Sequence, residues 1–134
     1  MSNEVIIALI ISYAKMFGVD PNVAVSVAKV ESKLNVNAVG SLGEIGLFQI
    51  RPEFQPKYTK KQLFKPETNI AVGVSQLAKY QDTCVHRDDI NYLVCYNFGP
   101  SNAKKVKYPH MFPYVKKVRA EMKLAAYPYK RFFK

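Results

Sequence analysis

Residues 20–50 read DPNVAVSVAKVESKLNVNAVGSLGEIGLFQI, and the change of pattern inside this stretch decides the fold. Asp20-Pro21 is a helix start: a good N-cap residue followed by proline at the first helical position. From there Val23, Ala24, Val27, Ala28 and Val30 recur at helical spacing, which predicts a helix to about Lys33 with these residues on its buried side. Gly40, Gly43 and Gly46 then punctuate the chain, predicting a short irregular or β-like loop region at about 36–52. Glu31 stands at the junction. At about 100° per residue it shares a stripe with Ala24, Val27 and Ala28. A carboxylate there is either desolvated and functional, or sits at a frayed helix end and reaches water or Lys33. Periodicity alone favours the second.

Working outward, Ile6, Leu9, Ile10, Tyr13 and Phe17 step by three and four toward a stop at Gly18, which predicts a first helix. Beyond the loop, Pro52, Pro56 and Pro66 predict a largely irregular 51–66. A helix follows over about 67–81, with Ile70, Val74 and Leu77 on one face. A short one is expected from residue 88 or 89 to just before Gly99-Pro100. An amphipathic helix over 112–125 completes the pattern. No repeat, linker or low-complexity block interrupts it. The expected fold class is mainly α, in one domain over residues 1–134.

With 134 residues, 49% hydrophobic and 22% charged, the composition is that of a globular domain. The longest apolar run, residues 5–11, is too short to span a bilayer, so no transmembrane segment is expected. Glu4 precedes it without any Lys or Arg, unlike the positive start of an export signal. The net charge of +10 is one-sided. Residues 1–56 carry four basic and five acidic groups, whereas residues 104–134 carry ten basic groups against Glu121 alone. Such a surface seeks polyanions: nucleic acid, anionic lipid or a bacterial wall. His86 and His110 stand in no ligand spacing and read as exposed loop residues, so neither a metal site nor a serine-type triad is expected. The glycines lack the Lys-Ser/Thr ending of a phosphate loop, and no cofactor is expected.

Glu31-Ser32, Asn35, the block from Gly43 through Glu44, Ile45, Gly46, Leu47, Phe48 and Gln49 to Ile50, and Tyr96-Asn97-Phe98-Gly99-Pro100 together resemble the soluble lytic transglycosylase family, with its goose-type-lysozyme-like fold. Glu31 and Gln49 stand eighteen residues apart, the family spacing. The resemblance also takes in Asn69-Ile70 with Gly73, and Tyr114-Val115-Lys116-Lys117-Val118. It covers about residues 6–124 and leaves a basic, aromatic tail at 125–134.

It implies cleavage of the β-1,4 bond between N-acetylmuramic acid and N-acetylglucosamine in peptidoglycan. Glu31 would protonate the bridging oxygen, then take the proton of the muramic C6 hydroxyl as it closes a 1,6-anhydro ring. The nucleophile belongs to the substrate, so a second carboxylate is not obligatory. By the same resemblance Gln49 would bond the sugar and Tyr96 would bring its hydroxyl near Glu31. Asn97 would hold its turn or bind sugar. Phe48 is either an apolar wall beside a sugar ring or core filler. Where the family often has serine this chain has Gly40, with Ser41 as the neighbouring candidate. A common tyrosine is Gln76, making one cleft wall more polar. Glu44 is a possible second carboxylate, set either to stabilise charge at C1 or hold a water, or simply solvated. Cys84 and Cys95 are a possible disulfide between two helices, the alternative being two buried thiols.

The expected partners are peptidoglycan strands and, through residues 104–134, an anionic wall surface; a monomer is expected. A wall-cleaving enzyme without an export signal fits a bacteriophage product, made in the host cytoplasm and acting on the wall at lysis or from the virion. Three alternatives stay open: hydrolysis on the same fold, a non-catalytic wall-binding relic, and nucleic-acid binding by the cations and aromatics of 104–134. No base-reading motif supports the last, and no specific nucleic-acid partner is expected.

Overall fold

The computed structural model describes residues 1–84 and 91–130, with the side chains of 125–130 excepted. Helix α1 (Asn3–Phe17) opens under Ser2, whose hydroxyl accepts from the Val5 amide at 3.2 Å, and stops at Gly18, left-handed at φ 74°. Helix α2 (Pro21–Ser32) starts as expected: the Asp20 carboxylate accepts from the Asn22 amide at 2.8 Å. Its end is marked by two left-handed non-glycine residues, Lys33 and Leu34, which turn the chain sharply into the loop.

The periodicity of α2 understates its burial. Val25 and Ser26 are as fully buried as Val27 and Ala28, whereas Val30 is only partly covered. The reason is packing on two sides: α2 lies against both α1 and the last helix, so one stripe is not enough.

The loop is held by two isolated antiparallel bridges, Val39 with Ile45 and Ile45 with Ile50, which is the β-like character expected of 36–52. Asn69 fastens it to the helices. This buried side chain donates to the Ile45 and Leu63 carbonyls at 2.8 and 2.9 Å and accepts from the Phe48 amide at 2.8 Å. Gly46, at φ 75°, passes so close that a Cβ there would stand 2.5 Å from the Asn69 Nδ2. The glycine therefore answers two demands at once, a left-handed backbone and a close approach.

The stretch 51–66 is less irregular than its prolines suggest. It contains a 3₁₀ turn at Pro52–Phe54 and helix α3 (Lys60–Phe64). The signal was Thr59 with Gln62, a capping box in which each side chain bonds the other's backbone amide. Helix α4 (Pro66–Thr83) packs on α1, and α5 (Asn91–Phe98) packs on α4. The start expected for α5 near residue 88, and His86, lie outside the described residues. Gly99 at φ 87° separates α5 from the short α6 (Pro100–Ala103). Helix α7 (Pro113–Lys130) runs beyond the expected end at 125, so part of the tail continues this helix. The aromatic side chains of 127–134 lie outside the described residues. The architecture is the mainly helical, lysozyme-like one expected. Among the described residues no helix is long and apolar enough to cross a membrane.

Candidate active site

Glu31 occupies the last turn of α2, where the loop and α7 close over it. The Tyr114 hydroxyl, from the first turn of α7, donates to Glu31 Oε2 at 2.8 Å. Burial raises the Glu31 pKa from an ordinary 4.5 to about 7; Tyr114 opposes this by bonding the carboxylate, and the negative charge of Glu44 adds to it. Near neutral pH the group is therefore poised between acid and carboxylate. An acid that can also serve as a base needs that poise.

Two hollows meet at this carboxylate. One, of about 400 Å³, is lined by Glu31, Glu44, Gln49, Gln76, Tyr96 and Asn102, with Arg51 and Phe54 also bordering it. The other, of about 390 Å³, is lined by Val30, Glu31, Asn97, Phe112, Pro113 and Lys117, with Tyr114 behind Glu31. Asn97 borders both. The residue read chiefly as a turn former is thus an exposed side chain at the junction.

The other expected site residues divide. Gln49 lines the first hollow with its backbone left-handed at φ 49°; its amide nitrogen bonds the Gly46 and Ala38 carbonyls at 3.0 and 3.3 Å. Glu44 faces the same space, its carboxylate accepting from the Leu42 amide at 2.7 Å. Gly40 sits against both: a Cβ there would come within 2.6 Å of Glu44 Oε1 and of Gln49 Oε1. A serine at this position would therefore displace one of them. Gln76 does form part of the wall, as the resemblance implies.

Two expectations need correction, and a third gains a detail. The Tyr96 hydroxyl lies near Glu31, as the resemblance implies, but donates to the Phe48 carbonyl at 3.0 Å; the tyrosine bonded to Glu31 is Tyr114. Both phenols are pushed well above the usual tyrosine range, chiefly by burial and then by the nearby Glu31 charge, and stay neutral as donors. Phe48 is 0% exposed and packs over Gly73, where a Cβ would overlap its ring; it is core and cannot touch a sugar. Ser41 is exposed at the loop tip and lines neither hollow. It does not replace the serine that Gly40 displaces.

Cys84, at the end of α4, and Cys95, within α5, are joined as a disulfide with Cα atoms 6.4 Å apart. It braces the wall that carries Tyr96 and Asn97. His110 is exposed, as expected, on a 3₁₀ turn at Pro109–Met111, within 2.8 Å of an Arg119 nitrogen.

Residues not singled out for the site include Tyr114, Arg51 and Phe54. Arg51 pairs with Glu53 at 2.6 Å and lies 4.8 Å above the Phe54 ring, at one end of the first hollow. Tyr114 was visible only as part of a motif, because no local spacing links residues 83 apart.

Comparison with known proteins agrees with the fold. Among solved structures, an inactive mutant of the lytic transglycosylase Slt from Pseudomonas aeruginosa superposes with a TM-score of 0.79 at 18% identity. The match covers 92% of this chain and 24% of that one, so the chain spans about a quarter of that protein, and the likeness is one of fold. The family model of the transglycosylase SLT domain matches residues 8–113, most of the chain. The chain therefore belongs to the transglycosylase SLT domain family.

Proposed function

We propose that the protein is a peptidoglycan lytic transglycosylase that cleaves the bond between N-acetylmuramic acid and N-acetylglucosamine, leaving 1,6-anhydromuramic ends. The observation that carries this is the state of Glu31: a carboxyl between two hollows, poised near neutrality by burial and held by a neutral tyrosine. A strand crossing both hollows would place its scissile oxygen over Glu31. The protonated acid gives its proton to that oxygen as the C1–O bond breaks. The carboxylate left behind takes the proton of the muramic C6 hydroxyl, whose oxygen bonds C1 to close the ring. The proton count returns to its starting point and no water is consumed.

Gln49 and Asn97 are read as sugar-binding groups, and Glu44 as the carboxylate that steadies positive charge developing at C1. Lysozyme-type hydrolysis is the second reading, and Glu44 favours it: a carboxylate across the hollow could hold an attacking water. The excess cations of 104–134 support docking to an anionic wall. A wall-degrading task in a phage, at lysis or entry, completes the proposal; clearing of host cells on expression with a pore-forming partner tests it.

Digestion of purified sacculi, with mass spectrometry of the soluble products, tests the chemistry. Anhydromuramic ends are expected from the parent, reducing ends would establish hydrolysis, and Glu31→Gln should reduce release of either by at least about 100-fold. The compared structure is itself an inactive Glu-to-Gln mutant. A variant keeping more than about a tenth of the parent rate would overturn the role of Glu31.

A further inference from the structure

From Asn91 to Ala120 the chain carries six Lys and Arg residues and no Asp or Glu. The fold gathers part of this charge on one surface. At about 100° per residue, Lys116, Arg119 and Lys123 share a stripe of α7 on the side opposite the buried Tyr114. All three are exposed, and among the described residues no carboxylate pairs with them. Arg119 brings a nitrogen within 2.8 Å of His110 Nδ1, which ties the turn Pro109–Met111 to the same stripe.

Exposed apolar side chains stand among these cations. Tyr108, just before the turn, is 62% exposed and Met111 64%; Leu124, next to Lys123, is 76% exposed. The Lys107 ammonium lies 5.5 Å from the centre of the Tyr108 ring. Cations alone suit any polyanion, a wall polymer or a nucleic acid included. A hydrated polymer would leave Met111 and Leu124 in water, and neither has the flat ring on which a base stacks. A lipid interface takes both kinds of group. Headgroup phosphates pair with the cations, while the ring and the aliphatic ends reach the acyl boundary. Because the stripe faces away from Tyr114 and Glu31, a surface held there leaves the catalytic carboxyl uncovered.

We infer that this face docks on an anionic phospholipid membrane. Lys116, Arg119 and Lys123 meet headgroup phosphates, and Tyr108, Met111 and Leu124 enter the interface. Docking of this kind goes beyond the enzymatic reading and does not depend on it: it holds the protein where wall meets membrane, whatever its activity.

Flotation with vesicles tests it, with phosphatidylglycerol and phosphatidylethanolamine in equal parts set against phosphatidylcholine alone. The parent should bind the anionic vesicles at least about 100-fold more tightly, and high salt should remove most of the difference. Each cation near the surface is worth about five-fold, so Lys116→Gln, Arg119→Gln and Lys123→Gln together should cost about 100-fold. The same loss of charge at Lys60, Lys61 and Lys65, exposed around α3, should cost less than about ten-fold. Tyr108→Ser with Met111→Ser should weaken vesicle binding about ten-fold and leave binding to lipid-free sacculi unchanged. Equal binding of the parent to both vesicle types overturns the inference, as does an equal loss from the substitutions around α3. So does a serine pair that changes vesicle binding no more than sacculus binding, which would assign the face to wall polymer. Muropeptide release is measured on the same preparations, so a failed enzymatic reading and a failed docking surface give separate results.

Discussion

Replacing Glu31 by glutamine should stabilise the protein, and by an amount that depends on pH. In the unfolded chain the carboxyl titrates near 4.5; in the fold, burial moves it to about 7. Between those values the folded state holds a proton that the unfolded state has released. Stability is therefore full below about pH 4.5, falls as the pH rises through this window, and stays lower above pH 7. The gap corresponds to about 3 kcal/mol at 1.36 kcal/mol per pH unit. Glu31 remains partly open to the hollows, and allowing for that screening leaves about 2–3 kcal/mol. Glutamine keeps the shape and cannot ionise, so the penalty disappears. Thermal unfolding of parent and variant at pH 4, 6 and 8 measures it. The difference in melting temperature should widen from pH 4 to pH 8 by about 6–10 °C for a chain of this length. A constant difference, or one that narrows, would refute the desolvation of Glu31 and with it the reason this carboxyl is poised for proton transfer.

Four further outcomes are expected. Tyr114→Phe removes the hydrogen bond that favours the carboxylate, so the alkaline limb of the pH–rate profile should move up by about one pH unit; a lower rate with the limb in place would mean a purely structural role. Glu44→Gln removes a negative charge near Glu31 and should move the same limb down by a fraction of a unit, with a fall in any reducing-end product if Glu44 holds water. Phe48→Ala should lower stability by about 3–5 kcal/mol in denaturant unfolding, because the ring is buried over Gly73 and leaves a cavity; a loss of sugar binding without loss of stability would contradict its place in the core. Reduction of Cys84–Cys95 should cost about 3 kcal/mol, the entropy of opening a short loop, read as a lower melting temperature in reductant.

The helices were legible where their ends carry chemistry. Asp20-Pro21 and Gly18 fixed the first two, because caps act within one turn and are written in neighbouring residues. Helix α3 escaped because the prolines around it dominate the local pattern, although Thr59 and Gln62 announce it. Glu31 was the residue that spacing could nominate and not decide: its stripe is visible, but its desolvation depends on α7, some eighty positions away. The same distance hides Tyr114. Phe48 and Ser41 illustrate the reverse error. A motif places Phe48 beside Gln49 and Ser41 in the same loop, yet Phe48 goes into the core with its neighbour Leu47 and Ser41 stands exposed, while Gln49, left-handed at φ 49°, borders the hollow. Whether a loop residue faces the site is set by backbone angles that composition does not reveal.

The position of Glu31 is itself an argument for chemistry over stability. The C-terminal turn of a helix carries partial negative charge, which favours a basic residue and disfavours a carboxylate. This chain holds twenty Lys and Arg residues, enough to supply one there. It places a glutamate instead, buries it, and sets Glu44 where its charge makes ionisation harder still. Against these influences stands one donor, the Tyr114 hydroxyl, itself too buried to ionise. A fold selected for stability alone would remove the carboxyl or surround it with cations. A carboxyl poised in this way between two hollows is what the proposed proton transfer needs, and the pH-dependent gain in stability on loss of the carboxyl measures what the fold gives up to keep it so.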